Sequence, residues 1–155
     1  MNKIKQCLGI LLLSLTVVSC RQKVVSPVPV DALPPIWPDY AGVTIPATIA
    51  PLNFRVTADG AEAVDVVISG KKGDPIRTSG ESVEIPAGKW SELLENNKGD
   101  SLEVRVCIRQ NGEWKAYRSF PFYISPFPID YGLVYRLLAP GYEIYSKMGI
   151  YEREL

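Results

Sequence analysis

The stretch Ser101-Leu102-Glu103-Val104-Arg105-Val106-Cys107-Ile108-Arg109-Gln110, followed by Asn111-Gly112 and then Glu113-Trp114-Lys115, decides the fold. Leu102, Val104, Val106 and Ile108 alternate with Glu103, Arg105, Cys107 and Arg109. A period of two is that of a strand with one dry and one wet face. Asn-Gly tolerates positive φ at both central positions of a type I′ turn, so the chain should reverse there into a second strand. That strand, Trp114 to Ile124, places Phe120, Phe122 and Ile124 on one face. Pro121 inside it implies a bulge, an edge or a switch between sheets.

Working outward, the same alternation recurs. Leu52, Phe54 and Val56 interleave with Asn53, Arg55 and Thr57; Val64, Val66 and Ile68 with Asp65, Val67 and Ser69; Val83 and Ile85 with Ser82 and Glu84. Gly- and Pro-containing turns lie between them, at Ala58-Asp59-Gly60, Gly70 to Pro75, Ser79-Gly80 and Pro86-Ala87-Gly88. Within 89–97, Trp90, Leu93 and Leu94 fall at i, i+3 and i+4, which predicts one short helix stopped at Gly99. The expectation is an all-β domain over 39–125, an antiparallel β-sandwich of immunoglobulin or fibronectin type III kind with one short helix. Phe54, Val66, Val104, Val106 and Phe122 are expected at its centre.

Composition removes whole classes of chemistry. The 155 residues hold 17 basic and 17 acidic side chains and no histidine. Balanced charge offers no field for nucleic acid. Without imidazole there is no Ser–His or Cys–His nucleophile and no His-liganded zinc. Glu92 and Glu95 share a helix face, which suits solvation rather than a cleft with two opposed carboxylates. Lys71-Lys72-Gly73-Asp74 lacks the glycine run and Lys-Ser/Thr ending of a phosphate loop. Cys107 beside Arg105 is the remaining nucleophile, and a guanidinium lowers a thiol pKa; the alternative is a thiol simply covered by neighbouring chain. No catalytic residue, metal ligand or cofactor is expected.

The first nineteen residues read as a leader. Lys3 and Lys5 precede an apolar run from Cys7 to Val18, too short to span a bilayer comfortably. The run ends Val17-Val18-Ser19-Cys20, which resembles the lipobox of bacterial lipoproteins. The resemblance implies removal of 1–19 and lipidation of Cys20, giving a stable anchor because more than one acyl chain is buried. Taking Lys3 and Lys5 from 17 basic residues leaves 15 against 17 acidic, a net of −2. An acylated Cys20 leaves Cys107 without a disulfide partner. Arg21, where an Asp would imply inner-membrane retention, points by analogy to the outer membrane, facing the periplasm. Residues 20–38, with five prolines in 27–38, are expected to be the lipid site and an extended spacer reaching about 55 Å.

Residues 126–155 carry Tyr131, Tyr135, Tyr142, Tyr145 and Tyr151, with two extended segments expected across Pro140-Gly141. Phe122 to Arg136, then Pro140-Gly141-Tyr142 and Met148-Gly149-Ile150-Tyr151, together with Pro34 to Tyr40 and Ile49 to Phe54, resemble the leading domain of Gram-negative TolB-like β-propeller lipoproteins. The similarity covers most of the mature chain but carries no catalytic residue. The propeller that follows in that family is not in this sequence, so a truncated or split form, or a free-standing leading domain, is expected. The resemblance implies a non-enzymatic, membrane-anchored module that docks a partner such as a β-propeller. The alternative is an envelope carbohydrate-binding module. In either case Trp90, Trp114, Tyr131, Tyr135, Tyr142 and Tyr145 are the candidate partner or glycan contacts, unless they are core.

Overall fold

A computed structural model describes residues 23–127, 129, 132–136 and 149–154. Twelve strands and one helix appear among them: β1 (Val28–Val30), β2 (Ile36–Trp37), β3 (Thr44–Pro46), β4 (Phe54–Val56), β5 (Ala63–Ser69), β6 (Ile76–Ser79), β7 (Ser82–Val83), α1 (Ala87–Asn96), β8 (Ser101–Gln110), β9 (Glu113–Tyr117), β10 (Phe120–Ser125), β11 (Gly132–Arg136) and β12 (Ile150–Glu154). The all-β expectation holds.

The long strand β8 organises the largest sheet. One of its edges pairs with β5, which continues to β6. The other edge is shared end to end by β9 and β10. Outside these lie β1 against β9 and β3 against β10, both parallel. These two parallel pairings depart from the purely antiparallel expectation: the incoming chain lies beside the last strands and runs in their direction. A three-stranded sheet, β2-β4-β7, and the β11-β12 ribbon complete the set.

One core cluster draws on both larger sheets and the helix. Phe54, Val56 and Val83 come from the three-stranded sheet; Val66, Val104, Val106 and Phe122 from the seven-stranded one; Trp90, Leu93 and Leu94 from α1. All five residues expected at the centre are buried. Each contributes roughly 1.5–3 kcal/mol by leaving water. Trp90 meets Phe122 edge to face at 6.1 Å, and Phe122 meets Phe120 at 5.6 Å. The helix begins two residues earlier than expected, at Ala87, after Pro86, which accepts the first backbone bond from Trp90 N–H. Gly99 at φ 74 turns the chain into β8.

The Asn111-Gly112 reversal is as expected: φ is 52 and 77, and Gln110 pairs with Glu113. The strand after it is not continuous. Cys107 pairs with Ala116, but Val104 pairs with Phe120. Arg105 and Val106 therefore face Tyr117, Arg118 and Ser119, which is a β-bulge. Arg118 N–H turns outward to Ala32 O at 3.0 Å, and Ser119 Oγ donates to Glu103 Oε1 at 2.8 Å. The extra residue reverses the side-chain phase. Trp114 and Ala116 share the outer face with Arg109 and Cys107, whereas Phe120, Phe122 and Ile124 face the core.

The expected spacer is the clearest correction. Residues 28–30 are paired with Lys115 to Tyr117, and residues 36–37 with Arg55 and Val56. Strand pairing captures the proline-rich segment because Pro29 sits in the edge strand β1, where proline is tolerated, and the other four prolines lie outside β1 and β2. The folded body thus begins well before residue 39.

Candidate functional site

The outer face of the large sheet holds the residues with most chemical potential. Strand alternation brings Asp65 opposite Cys107, and Val67 opposite both Arg77 and Arg105. The incoming chain crosses this face, so that Val24 and Pro27 complete a groove of about 330 Å³ over Val67, Cys107 and Ala116. Val67 is buried although alternation places it on the polar side. Cys107 is half-buried and free. Burial pushes its thiol above the ordinary 9.0, Asp65 pushes it further, and Arg105 opposes them. Desolvation outweighs the guanidinium that could have lowered this thiol's pKa, and the sulfur is half-buried beneath neighbouring chain.

The two tryptophans offered as surface contacts do not form a platform. Trp90 is 1 % exposed in the core, its Nε1–H donating to Ile49 O at 3.0 Å. Trp114 is 7 % exposed; it lines the groove crossed by Lys23, Val25 and Ser26, on the opposite side of the sheet from the core. The exposed indole is Trp37, at 68 %, on the edge strand β2. Sequence reading overlooked it because a two-residue strand carries no period. Cys20, Tyr131, Tyr142 and Tyr145 lie outside the described residues.

Tyr135 is described, and it has a partner that spacing did not reveal. In the β11-β12 ribbon it pairs directly with Tyr151, and the rings stack at 5.8 Å with 22° between planes. On the other face Val134 and Ile150 are exposed, Ile150 at 79 %. The described second strand starts at Ile150; the extended segment expected just after Pro140-Gly141 lies outside the described residues. Among the described residues the ribbon pairs with neither larger sheet. Phe127, 75 % exposed, stands where the chain leaves β10. Val134 and Ile150 share their face with Glu152 and Arg136, their direct partners across the ribbon.

Among the described residues no three His, Cys, Asp or Glu side chains are grouped to hold a metal ion, and no helix is long and apolar enough to cross a membrane. Comparison with known proteins gives no matching family, no matching curated protein and no matching solved structure.

Proposed function

We propose that the protein is a non-enzymatic, lipid-anchored module of the cell envelope that presents its C-terminal ribbon to a partner domain. The observation that carries this reading is the ribbon itself. A two-stranded ribbon is marginal alone in water. This one exposes Val134 and Ile150 on one face and stacked tyrosines on the other. Tyrosine is enriched at interfaces because it couples an apolar ring to a polar tip. The partner suggested by the resemblance to TolB-like lipoproteins is a β-propeller, and the lipobox-like Val17-Val18-Ser19-Cys20 supplies the anchor, at the periplasmic side of an outer membrane.

The body is an immunoglobulin or fibronectin type III-like sandwich. Supporting this, β4 and β7 share one sheet while β5, β8 and β9/β10 share the other, with a common cluster of buried side chains. That is the division of strands in such sandwiches. The raised Cys107 pKa and the absence of histidine support the non-enzymatic reading.

The test compares the chain from Lys23 to Leu155 with the chain from Lys23 to Phe127 by sedimentation velocity. The longer form is expected to self-associate through its uncovered ribbon and the shorter to remain monomeric. Equal monodispersity of the two would overturn the reading.

A further inference from the structure

We infer that the end of the body formed by the Asn111-Gly112 turn and the neighbouring Ala58-Asp59-Gly60 turn is its bilayer-facing end, held at the lipid headgroups by a short tether, with the ribbon leaving from the opposite end. This rests on the reading of Cys20 as the lipid site.

Chain length fixes the distance. Three residue steps separate Cys20 from Lys23. At most ~3.6 Å per residue, they reach about 11 Å. Lys23 lies in one groove with Arg109, Gly112, Glu113 and Trp114. From there the chain enters β1, pinned in parallel register with Val28 against Lys115. Arg118 fastens the far end of β1 through its N–H to Ala32 O and its guanidinium to Asp31 at 3.4 Å. The chain is therefore pinned in the sheet from Val28 onward, and residues 23–27 lie against the grooves beside Gly112, Trp114 and Cys107. The two turns are tied together at this end: Gln110 Nε2–H donates to Asp59 O at 2.8 Å, and Glu62 accepts from Gly112 N–H at 3.1 Å.

The exit is at the other end of β8. Gly99 N–H donates to Ile124 O at 3.1 Å, and Ser101 pairs with Tyr123, so the chain leaves beside the start of β8 while it enters beside the finish. A ten-residue strand spans about 30 Å. The folded body, rather than a proline-rich stalk, sets the height above the membrane at which the chain leaves β10. Lys23, Arg109 and Lys115 at the entry end are balanced by Asp59, Glu62 and Glu113, and Arg21 in the tether adds a single positive charge, minor beside the acyl anchor. The tether, not charge attraction, holds this end down, so placement should not depend on the anionic lipid fraction.

The experiment uses the full, lipidated protein in vesicles of phosphatidylethanolamine and phosphatidylglycerol bearing a headgroup nitroxide. A thiol-reactive fluorophore is placed by E113C at the entry end or by K72C at the exit end, each in a C107S background. Quenching is expected to be severalfold stronger at 113 than at 72 and unchanged when the phosphatidylglycerol fraction is raised. Inserting about a dozen Gly-Ser residues between Cys20 and Lys23 should weaken quenching at 113. Equal or reversed quenching in protein whose lipidation is confirmed by mass would overturn the orientation and leave the anchor standing. An unmodified Cys20 would overturn both.

Discussion

Asn97 is the one buried polar side chain among the described residues, and it joins two elements. Its Oδ1 accepts from Lys72 N–H at 3.1 Å, and its Nδ2 donates to Lys72 O and Leu93 O, both at 2.8 Å. The end of α1 is thereby locked to the β5–β6 loop. Asn97→Leu strands the Lys72 backbone groups and is expected to cost about 2–3 kcal/mol in urea unfolding. Gly70 explains why the amide fits: a Cβ there would stand 2.4–2.6 Å from Asn97 side-chain atoms. Gly70→Ala should cost about 1–3 kcal/mol, with an unchanged denaturant slope. Asp100 sits beside this lock. The hydrogen bond and ion pair from Lys71, at 2.7 Å, with a further bond from Ser101 N–H, hold its carboxyl below the ordinary 3.8. A depressed carboxylate stabilises the fold above its unfolded pKa and loses that stabilisation as pH falls through the folded one. Asp100→Asn should therefore flatten the part of the acid-unfolding curve below pH 3.8, read by circular dichroism.

The element that matters most is the bulge between β9 and β10. Side chains alternate with a period of two, so one extra residue exchanges inner for outer. The bulge at Tyr117 to Ser119 lets Trp114 serve the outer face while Phe120, Phe122 and Ile124 serve the core. Deleting Arg118 removes the phase change and sets those three residues against the wrong face. At roughly 1.5–3 kcal/mol for each, most of a small domain's net stability would go. The expected result is loss of a cooperative thermal transition. Phe122→Ala, which keeps the phase and only opens a cavity, should cost about 3–5 kcal/mol and leave the transition cooperative. The ribbon behaves differently because among the described residues it pairs with neither larger sheet. Replacing Val134 and Ile150 together by lysine should abolish self-association in sedimentation while leaving the melting temperature of the body unchanged.

At the scale of the molecule, the incoming chain is a structural part of the body. It supplies an edge strand to β9, roofs the Cys107 groove and closes over Trp114. Removing residues 23–30 should expose the β9 edge and the indole together, seen as faster amide exchange at Ala116 and Tyr117 and as increased light scattering, since an uncovered edge is a template for association.

Local patterns determined much of this fold without any three-dimensional information. Alternation marked β5, β8 and β10, Asn111-Gly112 marked their neighbouring reversal, and Trp90, Leu93 and Leu94 marked the helix, because periodicity and turn chemistry depend only on residues near one another in the chain. Tertiary structure alone decided the rest. The proline-rich segment reads as a free spacer until β9 offers it an edge. Trp114 reads as a candidate contact on the strand that also carries Phe122 until a bulge places the two on opposite faces. Cys107 reads either as activated by Arg105 or as covered by neighbouring chain until the incoming segment half-buries it. Asn97 reads as a helix-end residue until Lys72, 25 positions away, comes within hydrogen-bond reach. Each depends on contacts between distant parts of the chain, and no short-range pattern encodes which edge, face or partner a residue will meet.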